Sequence, residues 1–260
     1  MLEDAEHITN GNIAHRMYSA NLGNKVSVLA GDFLLARCSV ELARLANVEV
    51  VEVMANALES MVHGEIMHNQ AFPRDRLDSE YYVRTAALKT ASLTADSCKS
   101  VALLAGHDVN STIAVAMETY GRELGIAYQV MYDTIALQAA LEEATDGRLP
   151  VAHHASPPMF LSSAESPWLR EWISQGGLQE DCTLAEVAAH IADTNGIERA
   201  RAFALEHAQA AADAITSALP PSQERDALLV MCHYATQHDQ EGLQRDRYIE
   251  AQRQRAQKAS

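Results

Sequence analysis

Between Tyr120 and Leu137 the sequence YGRELGIAYQVMYDTIAL sets Leu124, Ile126, Ala127, Val130, Met131, Ile135 and Leu137 at steps of three and four. That period lines them along an α-helix and predicts a core element. A single carboxylate, Asp133, falls within its apolar second half. Taking an ionised carboxylate out of water costs on the order of several kcal/mol unless it gains a partner. Asp133 therefore implies a metal, a cation or a polar cavity, unless that flank of the helix faces water.

The rest of the chain is compatible with a helical protein built around this stretch. Its 260 residues are 48% hydrophobic and only 5% aromatic, enough for one sizeable core, and strand-like alternation is scarce. A net charge of −15 argues against nucleic acid or an anionic membrane as the main partner, since both are bound through clustered Lys and Arg. It leaves room for a small anionic substrate where a few cations invert the local field. Cys38, Cys98, Cys182 and Cys232 are widely separated, with no spacing suited to zinc or to a disulfide framework. No apolar run approaches the roughly 18 to 20 residues of a transmembrane helix, and the acidic start is the wrong sign for a transit peptide.

Tyr120 to Gln129, YGRELGIAYQ, resembles the Y-G-x-x-L-G-x-A-F-Q segment of the trans-isoprenyl (polyprenyl) diphosphate synthase family, with Tyr128 in place of Phe. In that family it leads into the second aspartate-rich motif, D-D-x-x-D. Here the three Asp positions fall on Tyr132, Asp133 and Ala136, so one carboxylate of the motif is kept. The run Gly23 to Arg37, GNKVSVLAGDFLLAR, is similar to the family's G-N-K-x-A-V-L-A-G-D-F-L-L-A and fixes the register upstream. Counting back from it, the first D-D-x-x-D falls on Glu3, Asp4 and His7, and the Arg-Arg that follows falls on Asn12 and Ile13.

The resemblance implies an all-α, isoprenoid synthase-type helical bundle, with a domain over residues 1–238 that begins after the family's first helices and a polar tail over 239–260. It implies Mg2+ held by Glu3, Asp4 and Asp133, weakly or not at all, because hard cations need several oxygen ligands and His7 is a poor one. Gly64-Glu65 matches the family's G-E-x-x-Q, with His68 at the Gln position. Lys89-Thr90-Ala91-Ser92-Leu93 matches K-T-A-S-L, in which the Lys contacts diphosphate. Lys89, Gln129 and, by a weaker match, Arg148 are the implied substrate-binding residues.

No catalytic residue is assigned. With so few motif carboxylates, and neither arginine, the resemblance is strongest to the motif-poor subunit of heteromeric long-chain (decaprenyl-type) synthases that supply the ubiquinone side chain. A catalytic synthase subunit is then the implied partner, through the apolar stretches Asp32 to Leu45 and Val48 to Ile66, and the family implies a mitochondrial setting. Two readings stay open beside it. One is an active prenyltransferase with a reduced magnesium site that uses allylic and isopentenyl diphosphates; the other is a helical scaffold with no chemistry.

Overall fold

The computed structural model describes residues 2–143, 154–177 and 184–236, with side chains from residue 23 onward. Every regular element among these residues is helical. The chain divides into two compact units, Met1–Val51 and Glu52–Ser260.

The first unit is dominated by one helix, α1 (Leu2–Arg44). Val26, Leu29, Phe33 and Val40 form one apolar row on it, and Val28 and Leu35 a second. All six are exposed, Leu29 at 66% and Phe33 at 65%. A helix apolar on more than one side is ordinarily buried, so this surface is unusual for a single chain. The helix ends where Ala46 adopts φ 51, and Asn47 caps the next helix by accepting from the Val50 N–H at 3.0 Å.

That next helix, α2 (Val48–Gln70), departs from expectation. Val50, Val51, Met54, Leu58, Met61, Val62 and Ile66 read by their helical spacing as its core face; Val50 is buried as expected, yet Leu58, Val62 and Ile66 are exposed at 39%, 62% and 48%. The buried positions are Val50, Val53, Ala57 and Gly64. Gly64 is buried because α2 comes in backbone to backbone there: a Cβ on it would stand 2.4 Å from the Lys89 backbone nitrogen.

The second unit is organised around α5 (Thr112–Glu143), as the periodicity of Tyr120 to Leu137 predicts. Ile126, Ala127, Val130, Met131 and Leu137 are essentially inaccessible, and α5 contributes to three apolar clusters. Burying each large side chain of this kind is worth about 1.5 to 3 kcal/mol. α5 packs chiefly on α4 (Ser92–Leu104) and α9 (Gly196–Ala218). Both approaches rely on small residues. Ala200, Ala204, Ala208 and Ala211 line the buried face of α9, while Gly121 and Gly125 of α5 lie against the α4 segment around Ala91, Thr94 and Ala95.

Shorter helices α6 (Pro157–Ser163), α7 (Pro167–Ser174) and α8 (Leu184–Asp193) close one end through Met159, Leu169, Trp172, Ile173, Val187 and Ile191 around Leu137. His154 is buried against Trp172, ring centroids 4.8 Å apart. At the other end the Tyr120 hydroxyl donates to the Leu228 carbonyl at 3.0 Å, tying α5 to α10 (Gln223–Thr236).

One polar contact of the α4/α5 seam works against the fold. Burial, followed by the charge of Glu118 and opposed by Lys99, pushes the Asp96 carboxyl up to about 6. A folded-state value above the ordinary one means that ionised Asp96 costs stability at neutral and alkaline pH, and the cost fades as pH falls through 6 towards 4. Asp96→Asn should therefore raise stability by about 1 kcal/mol near pH 8, after allowing for solvent screening at a half-exposed side chain. Urea melts at both ends of that range check it: a gain that does not shrink towards acid would contradict the stated cause.

Candidate functional site

A helical run from Ser79 to Leu104 is interrupted in its middle by a wide π-turn, Ala87–Ala91, between α3 (Ser79–Ala86) and α4. Such turns redirect side chains and recur at functional sites. This one carries Lys89 and Thr90. Asp78 starts the run by accepting from the Glu80 N–H at 2.9 Å.

Tyr82, Thr90, Gln129 and Asp133 form a directional hydrogen-bond chain. The Thr90 hydroxyl donates to Gln129 Oε1 at 2.6 Å, which turns the amide so that Nε2 donates to Asp133 Oδ1 at 2.9 Å. The Tyr82 hydroxyl donates to the other oxygen, Asp133 Oδ2, at 2.7 Å. Burial pushes the Asp133 carboxyl up, and the hydrogen bonds from Tyr82 and Gln129 oppose that. Burial and the neighbouring Asp133 push the Tyr82 phenol well up, which keeps it a donor.

This network borders a cavity of about 460 Å³ lined by His68, Arg76, Tyr81, Tyr82, Lys89, Gln129, Tyr132, Asp133, Ala136 and Ser156, among others. The three positions aligned with the second aspartate motif, Tyr132, Asp133 and Ala136, all face it, but they present one carboxylate, one phenol and one methyl. Lys89 and Arg76 are its permanent cations. Burial, with the Lys89 charge second, pushes the His68 imidazole down, so it favours the neutral form. Lys89 is paired: its Nζ lies 2.8 Å from Glu65 Oε2.

Of the residues anticipated from sequence, Lys89, Gln129 and Asp133 come together here. Glu3 and Asp4 belong to α1, with side chains outside the described residues, and Arg148 lies outside them altogether. Among the described residues no three His, Cys, Asp or Glu side chains gather to hold a metal ion. Sequence reasoning did not assign Tyr82, Glu65 or Thr90 to the site. For Tyr82 a signal existed, since it precedes Lys89 by two helical turns on the same side.

The chain matches the polyprenyl synthetase family over residues 13–147. It is 38% identical over 209 residues to solanesyl-diphosphate synthase 1, mitochondrial, of Oryza sativa subsp. japonica, covering 80% of this chain and 48% of that protein. It is similar to the apo form of the Arabidopsis medium/long-chain length prenyl pyrophosphate synthase, with 36% identity and a TM-score of 0.69, over 83% of this chain and 73% of that one. It is also similar to a polyprenyl synthase from Caulobacter crescentus CB15 complexed with calcium and isoprenyl diphosphate, with 25% identity and a TM-score of 0.67, over 81% and 65% of the two chains. The chain spans about half the length of the curated relatives it matches. With more than half of its sequence matching the family and with an all-helical fold like that of the solved synthases, this chain belongs to the polyprenyl synthetase family.

Proposed function

We propose that this chain is the accessory, catalytically deficient subunit of a heteromeric long-chain polyprenyl diphosphate synthase, paired with an active synthase subunit. The carrying observation is Asp133. It is the one acid at the three aligned motif positions, and both its oxygens accept hydrogen bonds from Tyr82 and Gln129. Ionising an allylic diphosphate asks for several oxygen ligands around a divalent cation. The described donors do not fit a resident magnesium: beside Asp133 the one other acid among the described residues lining the cavity is Asp75, whose Oδ2 accepts from the Phe72 N–H at 2.9 Å.

The chain's own residues support anion binding instead. Lys89 and Arg76 supply charge, and Thr90 orients the Gln129 amide. The exposed apolar rows of α1 supply a surface of the kind that a helical partner covers. A mitochondrial setting and a role in ubiquinone side-chain supply belong to the same proposal, supported by the name of the rice relative for the former and by family resemblance for the latter.

Co-purification with an active long-chain synthase, assayed for product with and without this chain, tests the proposal. The expected result is a stable complex, a changed product yield, and turnover by this chain alone at least about a hundredfold below its partner's, the scale on which losing a well-placed charge-stabilising group acts. Product from this chain alone, abolished by Asp133→Ala, would establish an active synthase with a reduced magnesium site. Neither binding nor effect would leave a scaffold.

A further inference from the structure

Glu65 occupies an odd position for a residue beside an anion-binding lysine. Gly64 lets α2 press on the π-turn so closely that its own Cβ position would meet the Lys89 backbone, and the next residue thereby delivers its carboxylate to the Lys89 ammonium at 2.8 Å. The Asn69 amide donates to the other oxygen, Glu65 Oε1, at 3.1 Å and steadies it. Lys89 lines the cavity whereas Glu65 stands outside its lining, so the pair ties a lining cation to a carboxylate that the cavity does not hold. Glu65 is half exposed, its side chain at 51%, so the pair is screened and exchangeable rather than locked.

We propose that Glu65 is a built-in anionic occupant of the Lys89 position: a phosphate group entering the cavity exchanges with the Glu65 carboxylate, which thereby sets the affinity of the site. The inference rests on the reading of Lys89 as an anion-binding residue and adds to it a residue that holds affinity down. Its physical content is competition plus repulsion. Removing the carboxylate frees the ammonium, worth a few-fold, and removes a negative charge that repels a polyanion at close range, worth a few-fold more.

The test is titration of the full chain with inorganic pyrophosphate in magnesium-free, low-salt buffer, followed by calorimetry, for the wild type, Glu65→Gln, Lys89→Met and the double variant, with circular dichroism confirming equal helix content. Glu65→Gln should bind about tenfold tighter, and the gain should shrink as salt is raised. Lys89→Met should lose binding, and in the double variant Glu65→Gln should restore no more than the few-fold share that comes from repulsion. Lost binding in Lys89→Met with unchanged or weaker binding in Glu65→Gln keeps the anion site and overturns the role of Glu65. A full gain of about tenfold in the double variant also overturns it, because Glu65 would then act through general charge alone. Wild-type binding by Lys89→Met removes the anion reading itself, and this inference with it.

Discussion

Gly121→Ala is expected to destabilise the protein by about 2 to 4 kcal/mol, although alanine is the better helix former by about 1 kcal/mol. The added Cβ would stand 2.4 Å from the Thr94 carbonyl oxygen and 2.7 Å from the Ala95 Cα, both backbone atoms of α4 that no rotamer change can move away. Relief requires parting α4 from α5, which opens the seam that the small residues close. Gly23→Ala on α1 is the matched control. Nothing lies within 4 Å of its Cβ position, so propensity alone should act and stability should rise by up to about 1 kcal/mol. Urea melts of the two variants beside the wild type decide it, and a Gly121→Ala protein as stable as the wild type would show that α4 is free to shift. Because Ala91 and Thr94 also flank Gly125, the same parting would disturb Thr90 and loosen the Gln129 amide.

The contrast between α5 and α2 shows which parts of this fold are legible in a sequence. On α5 the residues at steps of three and four are also the buried ones, because large side chains fill the space between α5 and its neighbours. On α2 Val51, Leu58, Val62 and Ile66 are exposed, while Val50, Val53, Ala57 and Gly64 are buried. Periodicity weights big apolar side chains, and it misses a face chosen for close backbone approach. The π-turn was equally hidden, since ALKTA is ordinary helix-forming sequence and only the surrounding packing decides that it widens.

The site divides in the same way. Lys89, Gln129 and Asp133 were legible because each sits in a recognisable motif. The donor of the Asp133 Oδ2 hydrogen bond was not assigned, because Tyr82 lies 51 residues away and its helical spacing from Lys89 places it on that side without marking the pairing. Glu65 had been read only as part of a matching motif. Its partnership with Lys89 exists because Gly64 lets two helical segments touch. Pairings of this kind follow from the packing of the fold, and that is where sequence reasoning lost the site.

Asp133→Leu is expected to cost about 3 kcal/mol, whereas Asp133→Asn should stay within about 1 kcal/mol of the wild type. Leucine has similar bulk but no acceptor, so the Tyr82 hydroxyl and the Gln129 Nε2 would lose the partners they now have at 2.7 and 2.9 Å. Each stranded donor costs on the order of 1 to 3 kcal/mol where water cannot follow. Asparagine keeps one acceptor for Gln129 or Tyr82 and removes a carboxylate whose ionisation burial already opposes, so its losses and gains nearly cancel. Thermal or urea melts of the two variants measure this ordering. Assayed with the synthase subunit proposed as its partner, the same pair separates two roles for the residue. If Asp133 serves only as the anchor of Tyr82 and Gln129, Asp133→Asn leaves the complex and its product yield intact and Asp133→Leu impairs both. If it ligates a divalent cation in the assembled enzyme, Asp133→Asn folds normally yet loses the metal-dependent part of the activity, by about a hundredfold or more.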